Sequence, residues 1–178
     1  FSLAVTHPTA GNIGGGGFLV YQGREGAPAA YDFRETAPGA SHPEMWLVDG
    51  EYSYERHHLS HLSVGVPGTV AGLYLAWQDG GSLPWAELIA PAIEQAKQGI
   101  VVTDGLARSL AEVLPRMQQY PASVAKFTRG GELLEAGDLW KQPDLAAALK
   151  RIAGKGPDGF YKGRTAGLIV AEMQRGCG

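Results

Sequence analysis

The chain has 178 residues, a formal net charge of −3 and 44% hydrophobic residues, which is an ordinary composition for one globular domain. Its basic residues are scattered rather than clustered, and this argues against a protein that binds nucleic acid. No apolar run approaches the roughly 20 residues that a membrane-spanning helix requires. The single cysteine, Cys177, cannot form a disulfide bond within the chain.

Two short strands that form a hairpin are the first elements that the sequence predicts. A run of four glycines precedes the apolar residues 18–21, and turn-forming residues at 23–28 separate these from a second apolar run at 29–33. Residues 36–63 contain prolines and glycines but no clean hydrophobic period, which predicts an irregular surface segment.

From Pro67 onward the hydrophobic period changes to that of helices. We predict five helices, which begin near residues 68, 85, 103, 143 and 164. In the second helix, Pro91 should produce a kink or a boundary, and the N-cap of the third should be Thr103 or Asp104. The residues expected to face inward in the third and fifth helices are Leu106, Leu110 and Val113, and Ala166, Ile169, Val170 and Met173.

Two strands followed by a run of helices indicate an α+β fold rather than an alternating α/β fold. A two-stranded hairpin is marginal on its own in water, and the rest of the sequence shows no convincing further strands. We therefore expect residues 1–178 to form a single partial domain, a segment of a longer protein that is truncated at both ends.

The glycine run invites comparison with nucleotide-binding loops. A dinucleotide-binding fingerprint requires a third glycine at position i+5, but that position is Leu19 or Val20 in the two possible frames. A phosphate-binding loop requires Gly-Lys-Ser/Thr and a following helix, whereas Phe18 and a strand follow the run here. Both kinds of nucleotide site are disfavoured, and close packing of backbone segments is the simpler interpretation.

Three histidines, His57, His58 and His61, lie close together in the sequence. The spacing of His57 and His61 would place two imidazoles on one face of a helix, a geometry that some zinc sites use. The His-Glu-x-x-His order of helical zinc sites is missing. We therefore favour surface or hydrogen-bonding roles for these histidines.

The charged residues Asp32, Arg34 and Glu35 interrupt the apolar pattern at the end of the second predicted strand. One interpretation is a salt bridge at a sheet edge, worth at most about 1 kcal/mol. The other is that the strand directs Arg34 into a cleft, where its planar guanidinium can hold a carboxylate with two hydrogen bonds. The residue types alone leave both interpretations open.

Four motifs, which follow one another in order and cover almost the whole chain, together resemble those of the γ-glutamyltranspeptidase family. They are GNIGGGGF at residues 11–18, DFRETAP at 32–38, HLSVGVPGTVAGL at 61–73 and GFYKG at 159–163. The resemblance implies the four-layer αββα fold of N-terminal-nucleophile hydrolases. Of that fold, this chain would supply a sheet hairpin and several covering helices.

The resemblance also implies an enzyme made as a precursor that cleaves itself into a large and a small subunit. The N-terminal threonine of the small subunit attacks the γ-glutamyl amide of substrates such as glutathione, and water or an acceptor amine then takes the glutamyl group. This chain would be part of the large subunit, and no residue in it matches that threonine. We therefore expect the chain alone to be inactive, with the missing small subunit as its partner.

No metal or organic cofactor is implied by the resemblance. Members of the family are usually exported, which implies a periplasmic or extracellular protein whose export signal lies outside this chain.

Among individual residues, the resemblance assigns substrate binding to Arg34, which matches the family arginine that binds the α-carboxylate of the glutamyl group. Asp32 and Glu35 would hold its guanidinium in place. The glycines expected to have structural roles are Gly14, Gly15, Gly16 and Gly17. Two alternatives remain, which are an acylase of the same family that acts on glutaryl side chains of β-lactams and a binding module without catalytic activity.

Overall fold

A computed structural model describes residues 1–176 of the protein, and these residues form two compact units. The 86–150 unit contains residues 1–11 and 86–150, and the hairpin unit contains residues 12–85 and those from 151 onward. Helix α1 (Ser2–Thr6), which the sequence did not predict, belongs to the 86–150 unit. Cys177 lies outside the described residues. Within residues 1–176, no helix has the length and apolar character needed to cross a membrane.

The predicted hairpin is present in the hairpin unit. Strand β1 (Phe18–Tyr21) pairs antiparallel with strand β2 (Ala29–Asp32). The pairing extends beyond the two strands, because Phe33 N donates a hydrogen bond to Gly17 O at 3.0 Å. In the part of the chain that the structure describes, no third strand pairs with either of them.

The prediction of an irregular segment at residues 36–63 is wrong, because this segment contains five short elements. They are a 3₁₀ turn at Pro43–Trp46, strands β3 (Leu47–Val48) and β4 (Glu51–Tyr52), helix α2 (Tyr54–His58) and a 3₁₀ turn at His61–Ser63. Each element is too short to leave a hydrophobic period in the sequence.

The five predicted helices are all present. They are α3 (Thr69–Gly80), α4 (Trp85–Gln98), α5 (Asp104–Met117), α7 (Pro143–Lys155) and α9 (Gly163–Arg175), and two short helices, α6 (Pro121–Phe127) and α8 (Asp158–Tyr161), were not predicted. Helix α4 continues through Pro91, so no boundary lies there. Thr103 is the N-cap of α5, since its Oγ1 accepts a hydrogen bond from Leu106 N at 3.2 Å.

The 86–150 unit has a hydrophobic core beside helix α5 and also contains two small ladders. In these ladders, strand β5 (Ile100–Val101) pairs with β8 (Leu139–Trp140), and β6 (Thr128–Arg129) pairs with β7 (Glu132–Leu133). The buried core residues are Val102, Leu106, Leu110, Leu134 and Trp140. The predicted inward orientation of Leu106 and Leu110 is confirmed, whereas Val113 is half-buried.

The predicted apolar stripe of α9 is only partly covered within the hairpin unit. Its residues Ala166, Ile169, Val170 and Met173 line a groove of about 510 Å³, which residues 64–67 also line. Val170 remains 52% exposed there. The inward orientation of this stripe is therefore confirmed only in part.

Tyr161 connects the end of α8 to the beginning of α3. Its hydroxyl group donates a hydrogen bond to Pro67 O at 2.8 Å and accepts one from Ala71 N at 3.2 Å. Burial raises the pKa of the Tyr161 hydroxyl above its ordinary value. The hydroxyl therefore keeps its proton, and with it the bond to Pro67, near neutral pH.

A polar contact joins the His61–Ser63 turn to the end of α9. His61 Nε2 lies 3.0 Å from Glu172 Oε1, and Arg175 Nε donates to the same carboxylate at 2.9 Å. These hydrogen bonds, first from Arg175 and then from His61, lower the pKa of Glu172 to about 2. The carboxylate is therefore charged in the folded protein even in moderately acidic solution.

Helix α3 packs against the hairpin through two glycines. A Cβ atom at Gly72 would collide with Cβ and Cγ of Phe33, and one at Gly68 would collide with the Phe33 carbonyl group. The contact therefore requires glycine at both positions.

We predict that Gly72→Ala destabilises the protein by about 1–3 kcal/mol, because the added methyl group overlaps the base of the Phe33 side chain. Alanine has a higher helix propensity than glycine, so helix propensity alone would predict that Gly72→Ala stabilises the protein. Gly167→Ala in α9 is the matched control, since a Cβ atom there meets nothing within 4 Å. It should stabilise the protein by up to about 1 kcal/mol. Urea unfolding followed by circular dichroism measures both, and changes of the same sign would contradict the packing.

We predict that Glu172→Gln lowers the urea midpoint near neutral pH and that this difference disappears in acid. The pKa of the carboxyl is about 2 in the folded protein against an ordinary value of 4.5. Its contribution to stability is thus fully present above the ordinary value and is lost as the pH falls towards the folded value. Unfolding curves of both proteins between about pH 2.5 and pH 7 measure the effect.

The control for this experiment is Glu25→Gln, which removes an exposed carboxylate that has no ion pair within residues 1–176. It should show no pH-dependent difference of this kind. A Glu172→Gln difference that stayed constant over the whole pH range would show that the charge of Glu172 does not stabilise the fold.

Candidate functional site

Arg34 follows strand β2 and is exposed at the edge of a cavity. The preceding residue, Phe33, is fixed by its backbone bond to Gly17 and by its packing against Gly72. Because neighbouring side chains of an extended chain point to opposite sides, this packing directs Arg34 away from helix α3. The backbone N of Arg34 donates to Asp32 Oδ1 at 3.0 Å, which holds the chain in place after the strand.

The cavity beside Arg34 has a volume of about 610 Å³ and lies within the hairpin unit. Three segments line it, and they are residues 34–38, most of residues 41–46, and residues 62–65. The first segment contains Arg34, the second contains His42 and Trp46, and the third runs from Leu62 to Gly65. A cavity of this size can hold a small molecule.

The glycine run lies directly against the segment that carries Arg34. A Cβ atom at Gly16 would lie 2.6 Å from Phe33 O and 2.7 Å from Glu35 N, closer than any side chain can approach. Around Gly14, by contrast, nothing lies within 4 Å of such an atom. The run therefore allows two stretches of backbone to come together at Gly16.

Asn12 attaches the glycine run to the beginning of α3. Its Oδ1 accepts hydrogen bonds from Gly15 N at 3.0 Å and from Thr69 Oγ1 at 2.6 Å. Gly15 O in turn accepts from the amides of Gly68 and Thr69 at 2.9 and 3.0 Å. The helix start, the glycine run and the Arg34 segment are thereby held together.

The guanidinium of Arg34 forms no ion pair within residues 1–176. Asp32 bonds the backbone of Arg34 rather than its side chain, and the Glu35 side chain lies beside Gly15 and Gly16. The edge salt bridge, one of the two interpretations of this charged segment, is not formed. The Arg34 side chain thus has its hydrogen-bond donors available at the cavity.

The histidines do not form a zinc site of the spacing considered above. Helix α2 ends at His58, so His57 and His61 do not share a helical face. His57 Nδ1 lies 2.9 Å from the hydroxyl of Tyr52, and His61 bonds Glu172. No group of three or more potential metal ligands occurs within residues 1–176. The hydrogen-bonding interpretation is confirmed for His57 and His61.

Several residues of the cavity were not identified from the sequence. Met45, Trp46 and residues 62–65 line it, but all of these except residues 64 and 65 lie in the segment predicted to be irregular. Neither the charged motif nor the glycine run gave a signal for them. The HLSVGVPGTVAGL motif did mark residues 62–65, although without indicating that they form a cavity wall.

Comparison with known proteins gives matches along the whole chain. The family model described as Gamma-glutamyltranspeptidase matches residues 1–178. The glutathione hydrolase proenzyme of Escherichia coli (strain K12) is 44% identical over 183 residues, which cover 100% of this chain and 31% of that protein. This chain therefore spans less than a third of the length of that relative.

Two solved structures show the same mixture of helices and strands. Helicobacter pylori γ-glutamyltranspeptidase has a TM-score of 0.97 and 39% sequence identity, with 99% of this chain and 51% of that chain covered. Cephalosporin acylase from Bacillus halodurans has a TM-score of 0.84 and 26% identity, with 99% of this chain and 34% of that chain covered. The family match over every residue shows that the chain belongs to the γ-glutamyltranspeptidase family.

Proposed function

We propose that this chain is the substrate-binding part of the large subunit of a γ-glutamyltransferase that also acts as a glutathione hydrolase. The observation that carries the proposal is that Arg34 is exposed, has no ion pair within residues 1–176 and lines a cavity of about 610 Å³. The resemblance described above, in which Arg34 of the DFRETAP motif matches the family arginine, supports the same assignment.

Arg34 binds the α-carboxylate of the glutamyl group in this proposal. Its planar guanidinium can donate two parallel hydrogen bonds to the two carboxylate oxygens, which fixes both the position and the direction of the ligand. Asp32 holds the backbone beneath the guanidinium, and the negative charges of Asp32 and Glu35 favour its presence near this end of the cavity. The glutamyl side chain then extends away from Arg34 towards the nucleophile.

The chemical step takes place on a threonine that lies outside this chain. The threonine Oγ attacks the γ-amide carbonyl carbon while the N-terminal amine takes the hydroxyl proton. Backbone N–H groups stabilise the oxyanion, and the amine product leaves with the transferred proton. Water or an acceptor amine then attacks the acyl-enzyme and restores the threonine hydroxyl.

The remaining parts of the proposal concern the whole protein. Both compact units belong to a single partial domain of a precursor, residues 1–178, and the small subunit of the same precursor completes the four-layer αββα fold and the active site. The relative named glutathione hydrolase proenzyme, of which this chain matches 31%, supports a longer precursor. We also propose that the mature enzyme is periplasmic or extracellular.

A second candidate is hydrolysis of glutaryl side chains on β-lactams. The similarity to a protein named cephalosporin acylase favours it, and a glutaryl group carries one carboxylate that Arg34 could also bind. Turnover of γ-glutamyl and glutaryl anilides by the full-length enzyme distinguishes the two functions, because only the γ-glutamyl substrate carries an α-amino group.

For the full-length enzyme, we predict that Arg34→Ala lowers kcat/KM for a γ-glutamyl anilide by roughly 30- to several-thousand-fold. Removing one partner of a desolvated charged pair costs about 2–5 kcal/mol. Arg34→Lys should recover only part of the loss, because an ammonium group cannot reproduce the two-pronged geometry. Steady-state kinetics with each variant measure the effect.

The control for this experiment is Arg24→Ala, which removes an exposed arginine from the turn of the hairpin rather than from the cavity. A substrate analogue without the α-carboxylate should be nearly indifferent to Arg34→Ala. If the analogue and the normal substrate lose activity equally, Arg34 has a structural role and does not bind the carboxylate.

We further predict that the purified 178-residue chain does not turn over a γ-glutamyl anilide, since the proposed nucleophile is not part of it. Product release is followed by absorbance against a matched blank, with the full-length enzyme as the positive control. Turnover above the blank by the 178-residue chain would contradict the assignment of the nucleophile.

A further inference from the structure

Residues 62–65 form one wall of the Arg34 cavity. The C-terminal end of this wall is attached to residues 34–38, the segment that carries Arg34. Thr36 and Val66 exchange two backbone hydrogen bonds, of 3.2 Å from Thr36 N and 2.8 Å from Val66 N. Gly65 also lies against Glu35, because a Cβ atom at Gly65 would be 2.8 Å from Glu35 Cβ. The wall is therefore attached to Glu35 and Thr36, the two residues that follow Arg34.

The N-terminal end of the wall is held by His61, the residue that precedes it. The side chain of His61 is only 20% exposed, and its Nε2 lies 3.0 Å from Glu172 Oε1 in helix α9. The imidazole ring lies against Gly176, where a Cβ atom would collide with it. Within residues 1–176, this is the one side-chain hydrogen bond that connects residues 60–65 to an element distant in sequence.

The other hydrogen bonds of this segment are local. Ser63 Oγ donates to Ser60 O at 2.6 Å, and Ser60 Oγ donates to Arg56 O at 2.6 Å. Such bonds shape the turn but do not fix its place relative to the cavity. The bond from His61 to Glu172 does fix the place of the turn. Arg175, in the next turn of α9, donates a hydrogen bond that orients the Glu172 carboxylate.

We propose that Glu172, acting through His61, is a positioning residue for Arg34. It fixes the wall at residues 62–65, the wall fixes Glu35 and Thr36, and these fix the stretch of backbone from which the Arg34 side chain reaches the substrate carboxylate. This inference rests on the proposed function of Arg34. Glu172 itself does not line the Arg34 cavity.

The test uses the full-length enzyme and compares Glu172→Ala with Glu172→Gln. Alanine removes the acceptor of the His61 bond, whereas the glutamine amide oxygen keeps it. We expect Glu172→Ala to raise KM for a γ-glutamyl anilide about tenfold with little change in kcat. Glu172→Gln should stay within about threefold of the unaltered enzyme. Lys126→Gln, which removes an exposed ion pair in the 86–150 unit, is the control and should leave both constants unchanged.

A double-mutant cycle with Arg34→Ala separates positioning from general stability. If Glu172 acts through Arg34, Glu172→Ala should change kcat/KM by less than about twofold in the Arg34→Ala background. A tenfold loss in both backgrounds, or an equal loss for Glu172→Gln and Glu172→Ala, would overturn the inference. Failure of the proposed function itself is recognised separately, because Arg34→Ala alone would then affect substrates with and without the α-carboxylate equally.

Should Glu172→Ala fail to fold, His61→Gln and His61→Leu provide the same comparison. The glutamine amide can donate to Glu172, and leucine cannot. We expect the KM of His61→Leu to rise about tenfold and that of His61→Gln to rise less. Equal KM values for the two variants would overturn the inference.

Discussion

The packing of Phe33 against glycine backbone is the contact on which the rest of the site depends. Its side chain lies against Gly72 of α3, its carbonyl group lies against Gly16 and Gly68, and its amide bonds Gly17. Three stretches of chain meet at this one residue because none of the glycines there carries a side chain. An aromatic ring on one side of the backbone thereby fixes the direction of the charged residue that follows it.

This arrangement separates the residues that hold the site from the residue that would bind a ligand. Asn12 accepts hydrogen bonds from Thr69 and from the glycine run, and all of these groups are neutral. The carboxylate of Glu172 is paired with His61, which lies far from it in the sequence, and with Arg175, which lies beside it in α9. Arg34 is left with an unpaired charge within residues 1–176. A charge that is held in place but not neutralised is what recognition of a carboxylate requires.

The sequence predicts the elements that have a periodic hydrophobic pattern, and it misses the elements that are too short to have one. Helices such as α3 and α9 carry apolar residues at helical spacing over three turns or more, and the hairpin is marked by turn residues between two apolar runs. Arg34 could be singled out because charges break an apolar pattern, and the family motifs identify it again. The cavity walls could not be predicted, since they consist of very short elements. One wall is also held by a hydrogen bond between His61 and Glu172, which are 111 positions apart in the sequence.

The separation of His61 and Glu172 in the sequence also affects the order in which contacts can form during translation. The hairpin unit is discontinuous, since residues 86–150 belong to the other unit. The hairpin and α3 can form from neighbouring residues, but His61 must wait for the synthesis of 111 further residues before Glu172 exists. At about 5–20 residues per second, this delay is roughly 5–20 seconds. Until Glu172 is made, the wall of the Arg34 cavity lacks the hydrogen bond between His61 and Glu172.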